Sequence, residues 1–215
     1  MNWYLAQRTG DAAEFHALDP APVRSATFHT VDRPTLVLGS SQRPSEVDHR
    51  VADALGIEVV TRRSGGGAVL LLPGEHVWLD LVVPAGDPLW HDDVGAAMVW
   101  VGELWRAALA DLDVVGTVHR GPLQSSAWSR QVCFSGLGTG EVLAPDGGKL
   151  VGVAQRRTRT TARFQTMCHL RWRPELVAAL VTPPRPQATD LATAAVPVTA
   201  TADDLVAVLA RHLPV

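Results

Sequence analysis

Between Val94 and Leu112, apolar residues recur at positions 94, 98, 101, 104, 105, 108, 109 and 112, the spacing of a helix with one buried stripe. Asp92 or Asp93 supplies its N-cap. The stretch HVWLDLVVP has the other period: Val77, Leu79, Leu81 and Val83 share one face, while His76, Trp78 and Asp80 share the opposite one. That predicts a strand with a core face and a second face free to line a site. Thr35–Leu38 reads as a short buried strand stopped by Gly39. A helix over PSEVDHRVADALG follows, with Ser45 and Asp48 as a capping box and Gly56 as its stop. IEVVTRR and AVLLL are strands joined through the turn SGGG. RQVCFSG, GEVLAP, KLVGVAQRRTR and ARFQTMCHLRW predict further strands, with a DGG turn before Lys149. Pro174 opens a helix, residues 182–200 form a Pro- and Thr-rich connector, and TADDLVAVLARHL is a closing amphipathic helix. Helices between groups of strands indicate an α+β or mixed α/β architecture.

With 215 residues, 47% of them hydrophobic and 19% charged, the chain suits a single domain over 1–215 with a sizeable core. A net charge of -3 argues against a nucleic-acid or anionic-membrane binder. No apolar run approaches the roughly 20 residues of a membrane helix, and the first residues lack a signal-peptide apolar region, so the expected location is the cytoplasm. Two cysteines, Cys133 and Cys168, are too few for a disulfide framework and form no CxxC pair. The eight histidines show no zinc spacing, and His91-Asp92-Asp93 stands where a helix cap is needed; no metal site is expected.

Lys149 is the only lysine, every other side-chain cation apart from histidine being arginine. Such a position suits a site that needs a compact ammonium with three rotatable donors, which a planar guanidinium cannot imitate. It follows a glycine turn and begins a strand, so its side chain is expected to project from a rigid element into a site and not into the core. Upstream, Arg62-Arg63-Ser64-Gly65-Gly66-Gly67-Ala68-Val69 combines charge with backbone N–H groups that can approach an anion closely. It matches neither GxGxxG nor GxxxxGK[ST].

Taken together, these residues resemble the lipoate-protein ligase A and octanoyltransferase branch of the biotin/lipoate protein ligase superfamily. The resemblance rests on RRSGGGAV at 62–69, on GKLVGVAQRR at 148–157 and on TLVLGSSQ at 35–42, and covers roughly residues 30–170. It implies a class II biotin/lipoyl synthetase-like fold, a largely antiparallel mixed β-sheet flanked by helices. It also implies protein lipoylation. Lipoate or octanoate is activated with ATP and Mg2+ to an acyl-adenylate, then passed to a lysine of a lipoyl domain, either of a 2-oxoacid dehydrogenase E2 or of the glycine cleavage H protein. By position, Arg62 to Leu70 would border the acyl and nucleotide site, with Gly67, Ala68, Val69 and Leu70 on the nucleotide. Lys149 would bind the activated carboxyl, with Gly152 and Ala154 beside it.

The chain departs from that pattern in two places. Family ligases continue the glycine motif with His-Asp, where this chain has Leu71-Leu72, so His76 or Asp80 is the expected substitute. Many carry a C-terminal accessory domain, and none is expected within 215 residues; a separate chain would supply it. The family's cysteine-dependent transferases place a Cys-Phe segment and an acidic residue before the motif lysine, as Cys133-Phe134, Glu141 and Lys149 stand here. In that alternative Cys133 takes the acyl group as a thioester from an acyl carrier protein or a lipoyl domain and no cofactor is needed. A non-catalytic acyl or nucleotide binder is a third reading. Biotin ligation is disfavoured because no GRGRRGR-type loop is present.

Overall fold

The structure is a computed structural model that describes residues 2–214. Two sheets pack face to face between two groups of helices. The larger sheet has seven strands in the order β1 (Tyr4–Gly10), β2 (Ser25–Val31), β6 (His76–Pro84), β10 (Thr161–His169), β9 (Lys149–Arg157), β8 (Val142–Leu143) and β7 (Thr117–Val118). Only β1 and β2 run parallel within it. The smaller sheet has the order β4 (Glu58–Thr61), β3 (Thr35–Leu38), β5 (Val69–Leu71), with β4 parallel and β5 antiparallel to β3. The expected mixed, largely antiparallel sheet flanked by helices is therefore present, with a second small sheet beside it.

Alternation along β6 assigns its two faces. Val77, Leu79, Leu81 and Val83 meet α3 (Val94–Ala110) and α6 (Ala202–His212) in the main core, where Trp105 and Leu109 are fully buried. Each such side chain contributes about 1.5–3 kcal/mol through the apolar area it removes from water. The cap of α3 is Asp93, whose side chain accepts from the Ala96 amide. On the other face Trp78 packs with Val37 and Leu71 of the smaller sheet. Outside the smaller sheet, Leu36, Leu38 and Leu70 meet α2 (His49–Ala54), α4 (Pro174–Leu180) and α5 (Ala188–Leu191).

Three expectations are corrected. The helix expected from Pro44 is divided: Pro44–Glu46 is a 3-10 turn, and α2 starts later because Asp48, not Ser45, accepts from the Val51 amide. RQVCFSG is not a strand. Val132 makes a single bridge to Ala68, and the chain then turns at Cys133–Ser135, with the Ser135 amide donating to Val132 and the Gly136 amide to Cys133. The connector at 182–200 contains α5, which buries Leu191 completely. In addition, β1, α1 (Ala12–Ala17) and β2 stand in a region for which the sequence predicts no element; β1 is exposed almost throughout, so its sequence shows no alternation to detect.

Candidate functional site

The SGGG segment does not close a hairpin. Since β4 and β5 lie on opposite sides of β3, the loop passes over the end of β3, where a Cβ on Gly39 would lie 1.9 Å from the Gly66 carbonyl oxygen. Only glycine admits that crossing. Gly66 itself has φ +96°, and a Cβ on Gly67 would come within 2.6 Å of the Val132 carbonyl carbon. Gly65 is different: a Cβ there meets nothing within 4 Å. Arg62 fastens the loop, its Nη2 donating to the Gly65 and Gly67 carbonyls at 2.8 Å each and its Nη1 to Val37 O at 3.3 Å. Gln42 ties together the two segments that flank the loop. Its Oε1 accepts from the Gly39 amide at 2.9 Å and its Nε2 donates to Gln131 O at 3.2 Å.

Lys149 starts β9 and is tied there by its backbone, which donates to Ala194 O and accepts from the Val196 amide. Its ammonium lies 2.7 Å from Glu141 Oε2, donates to Cys133 O at 3.0 Å and sits 5.2 Å from the centroid of the Phe134 ring. Glu141 is itself held, accepting from the Gly138 amide at 2.6 Å and the Val153 amide at 3.4 Å. The expectation of a lysine outside the core is thus corrected: Lys149 is 2% exposed, and its charge is matched by a carboxylate 4% exposed. A lone buried ammonium would be too costly, so the fold supplies Glu141 as its counter-ion.

Two cavities meet beside this pair. One, of about 60 Å³, lies between the sheets and is walled by Val37, Val69, Leu71, Trp78, Phe134 and Met167, with Gly152 and Arg62 in its lining. His16 from α1 also lines it, its ring stacked on Trp78 at 4.6 Å and its Nδ1 within 3.1 Å of Gln165 Nε2. Burial pushes this imidazole down to about 3, so it is neutral. The second is an open cleft of about 420 Å³, walled by Ser64, Gly65, Gly66 and Gly67 on one side and by Glu141, Lys149 and Gln155 on the other. Cys133, Val153 and Ala154 line both, so they form the junction. The Gln155 amide faces this region with both polar atoms buried and unpaired.

The structure therefore gathers Lys149, Cys133, Arg62, Ser64, Gly65, Gly66, Gly67, Val69, Gly152 and Ala154 around two connected cavities. It separates three others from them. Arg63 is half exposed and lies 3.4 Å from Asp19, away from the cleft wall. Ala68 and Leu70 point by strand alternation into the outer core, so they face away from where a nucleotide was expected. Neither His76 nor Asp80 replaces the missing His-Asp pair. His76 is buried against Leu72 O at 3.0 Å and pushed down to about 4 by burial. Asp80 is spent on Trp78 Nε1 at 2.8 Å, His29 Nε2 at 3.1 Å and Arg163 Nε at 2.9 Å. His16 carried no signal in the sequence; Trp78 did, through its place on the second face of β6.

No group of three or more His, Cys, Asp or Glu residues among the described residues is arranged to hold a metal ion. Among the same residues, no helix is long and apolar enough to cross a membrane. Residues 12–215 match the family described as the lipoyl protein ligase A/B catalytic domain. No curated protein gives a match. Among solved structures, the chain is similar to a bipartite lipoate protein ligase from Thermoplasma acidophilum, with TM-score 0.75, 16% identity and coverage of 99% of this chain and 82% of that one. It is also similar to a lipoate-protein ligase A bound with ATP, with TM-score 0.71, 16% identity and coverage of 99% and 84%. A third is P. falciparum LipL1 in complex with lipoate, with TM-score 0.69, 10% identity and coverage of 98% and 61%.

Proposed function

Because the chain belongs to the family of lipoyl protein ligase A/B catalytic domains, we propose that it attaches a lipoyl or octanoyl group to a lysine of a lipoyl domain. The acceptor would be that of a 2-oxoacid dehydrogenase E2 or the glycine cleavage H protein, in the cytoplasm, with 1–215 acting as one catalytic domain. The observation that carries this reading is the apolar cavity opening onto a glycine-walled cleft at Lys149. An acyl tail fits the first and its activated carboxyl the second. At the junction the Lys149 ammonium can give a donor to the carbonyl oxygen as negative charge develops on it, and the fixed cleft supplies orientation.

In the ligase route a carboxylate oxygen attacks the α-phosphorus of ATP, pyrophosphate leaves, and the acyl-adenylate then meets the acceptor amine. The residues fit a phosphate chain: backbone amides of the SGGG loop, the Ser125 and Ser129 side chains and the exposed Arg130 all line the cleft. With Glu141 committed to Lys149, a magnesium ion would be held chiefly by the phosphates. Because a separate accessory chain would supply the C-terminal domain that many family ligases carry, the acylation assays are run with and without such a chain added.

One observation favours a second reading. Cys133 borders both cavities and gives its own carbonyl to Lys149. Its thiolate would attack an octanoyl thioester of an acyl carrier protein or lipoyl domain, release the carrier thiol, and hold the acyl group for the acceptor amine. Leu71 and Leu72 in place of His-Asp agree with a route that needs no ATP.

The intact mass of a purified lipoyl domain, after incubation with the protein and either octanoate plus Mg-ATP or octanoyl-carrier thioester, decides between them. The ligase route predicts ATP-dependent acylation that survives Cys133→Ser within about threefold; the thioester route predicts ATP-independent acylation that Cys133→Ser reduces at least about 10³-fold. Acylation from neither donor refutes acyl transfer and leaves only ligand binding.

A further inference from the structure

Lys149 also borders another cleft, of about 470 Å³, walled by Ser126, Trp128, Ser135, Asp190 and Thr193. Ser125, Gly136 and Lys149 line both clefts, so these three residues are the partition between them. Of the apolar cavity's lining the second cleft shares only Phe134, and it has no part of the SGGG loop. Its ionisable wall groups are Asp190 and Lys149. Ser135 Oγ is buried there without a hydrogen-bond partner, and Asp190 is exposed, with Oδ2 accepting from the Gln187 amide at 2.8 Å. The segment carrying Asp190 and Thr193 is fixed to Lys149 itself through the hydrogen bonds of Ala194 and Val196 with the lysine backbone.

We propose that this cleft admits the acceptor segment, whose lysine side chain reaches the acyl carbonyl at Lys149 from the side opposite the SGGG loop. The proposal rests on the acyl-transfer reading above. Two ammonium groups converging on one carbonyl repel, and the Asp190 carboxylate offsets that repulsion at the entrance. Trp128 and Leu137 give apolar wall for the methylene stem, while Ser126 and Ser135 give oxygens for its polar end. Once neutral, the amine nitrogen bonds to the acyl carbon. AMP, or the Cys133 thiolate, departs with the electron pair of the broken C–O or C–S bond, and the proton left on nitrogen passes to water in the cleft. AMP then exits by the glycine-walled cleft without crossing the acceptor's path, whereas the Cys133 thiolate is regenerated in place.

The experiment separates loading from transfer. Loading is read as pyrophosphate exchange with octanoate and ATP, or as the octanoyl adduct on Cys133 from a carrier thioester. Transfer is read as acylation of the lipoyl domain over a range of its concentration. Thr193 is exposed, so Thr193→Arg places a positive charge in the cleft without disturbing the core. It is expected to raise KM for the lipoyl domain at least about tenfold with loading unchanged, and Asp190→Asn, which keeps a side-chain oxygen at the helix cap, by about threefold. An unchanged acceptor KM in Thr193→Arg overturns the proposal. So does a loss of loading, which would assign this cleft to the nucleotide or donor. A wild-type protein that loads from neither donor refutes the acyl-transfer reading itself.

Discussion

Two of the buried acid–base pairs at the large sheet differ in their surroundings. Asp80 and Arg163 meet diagonally between β6 and β10, and nearly every polar atom of the pair is spent within the fold. Asp80 accepts from Trp78, His29 and Arg163, while the guanidinium goes on to donate to Phe15 O and Leu18 O at the end of α1. Burial alone would push the Asp80 carboxyl up, but the hydrogen bond from His29 and the charge of Arg163 hold it below the usual carboxylate range. Glu141 and Lys149 are equally buried, yet their ammonium contacts two oxygens, keeps one donor uncommitted to an oxygen, and lies on the wall of two clefts. Arg163 spends four of its five N–H groups on the fold and lines neither cleft, so this pair positions backbone. Burial and charge are the same in both, so a spare donor on a cleft wall, where a ligand oxygen can reach it, marks the reactive one.

The sharpest way to break this contrast is to remove each cation. Lys149→Ala is expected to lower acyl transfer at least about 10³-fold by deleting the donor to the developing oxyanion. It should also cost about 3–5 kcal/mol, because Glu141 is left buried without its counter-ion. Combining Lys149→Met with Glu141→Gln should recover most of the stability and none of the transfer, as read by chemical denaturation and acceptor mass. Arg163→Leu should cost a similar 3–5 kcal/mol by stranding Asp80, yet keep transfer per folded molecule within about tenfold. If Arg163→Leu silences transfer as completely as Lys149→Ala, the two pairs do not differ in kind.

The sequence carried the reactive pair more clearly than the structural one. A single lysine after a glycine turn, with an acid eight residues before it, is visible in one dimension; the convergence of His29, Trp78, Asp80 and Arg163 from three strands is not. Periodicity located β6, α3 and α6, and strand-type residues between turns located β9 and β10. It missed β1, which buries almost nothing, and it misread Cys133 as part of a strand. That segment has strand-like residues, but close packing of Val132 on Gly67 allows only one bridge before the chain turns. The motif located the SGGG loop but not the division of labour inside it. Arg62 looks like a ligand's cation in sequence, whereas its Nη2 donates to the loop's own carbonyls and its Nη1 to Val37 O, and Arg63 lies off the cleft.

The glycines sharpen the same distinction between groups spent on the fold and groups left open. Gly65 has open space where its Cβ would stand and no left-handed backbone, so Gly65→Val should leave stability within about 0.5 kcal/mol. By filling the cleft it should raise KM for the donor substrate roughly 10- to 100-fold. Gly67→Ala should do the reverse, costing about 1–3 kcal/mol because the new methyl meets the Val132 and Cys133 backbone at 2.6–2.7 Å. Equal effects of the two substitutions on stability would mean that the loop has no open position.

The smallest effect separates the structural pair from its neighbours by pH. His16, His76 and His169 are neutral because burial pushes them down to about 3, about 4 and about 3 respectively. In the unfolded chain each takes up a proton near pH 6.5, so the unfolded state binds more protons than the folded one below that value, and stability falls as the solution is acidified. At about pH 5.5 each histidine costs about 1.3 kcal/mol relative to neutral pH. The Asp80 carboxylate works in another window. Its folded value is depressed, so its contribution is fully present above the unfolded value near pH 4 and is lost only as the pH falls through the lower folded one. Denaturation midpoints at pH 7 and 5.5 should therefore show a loss that His16→Gln reduces by about 1.3 kcal/mol. A pH slope unchanged by His16→Gln would mean that this histidine is charged beside the apolar cavity, and an acyl chain would then have to enter against an imidazolium.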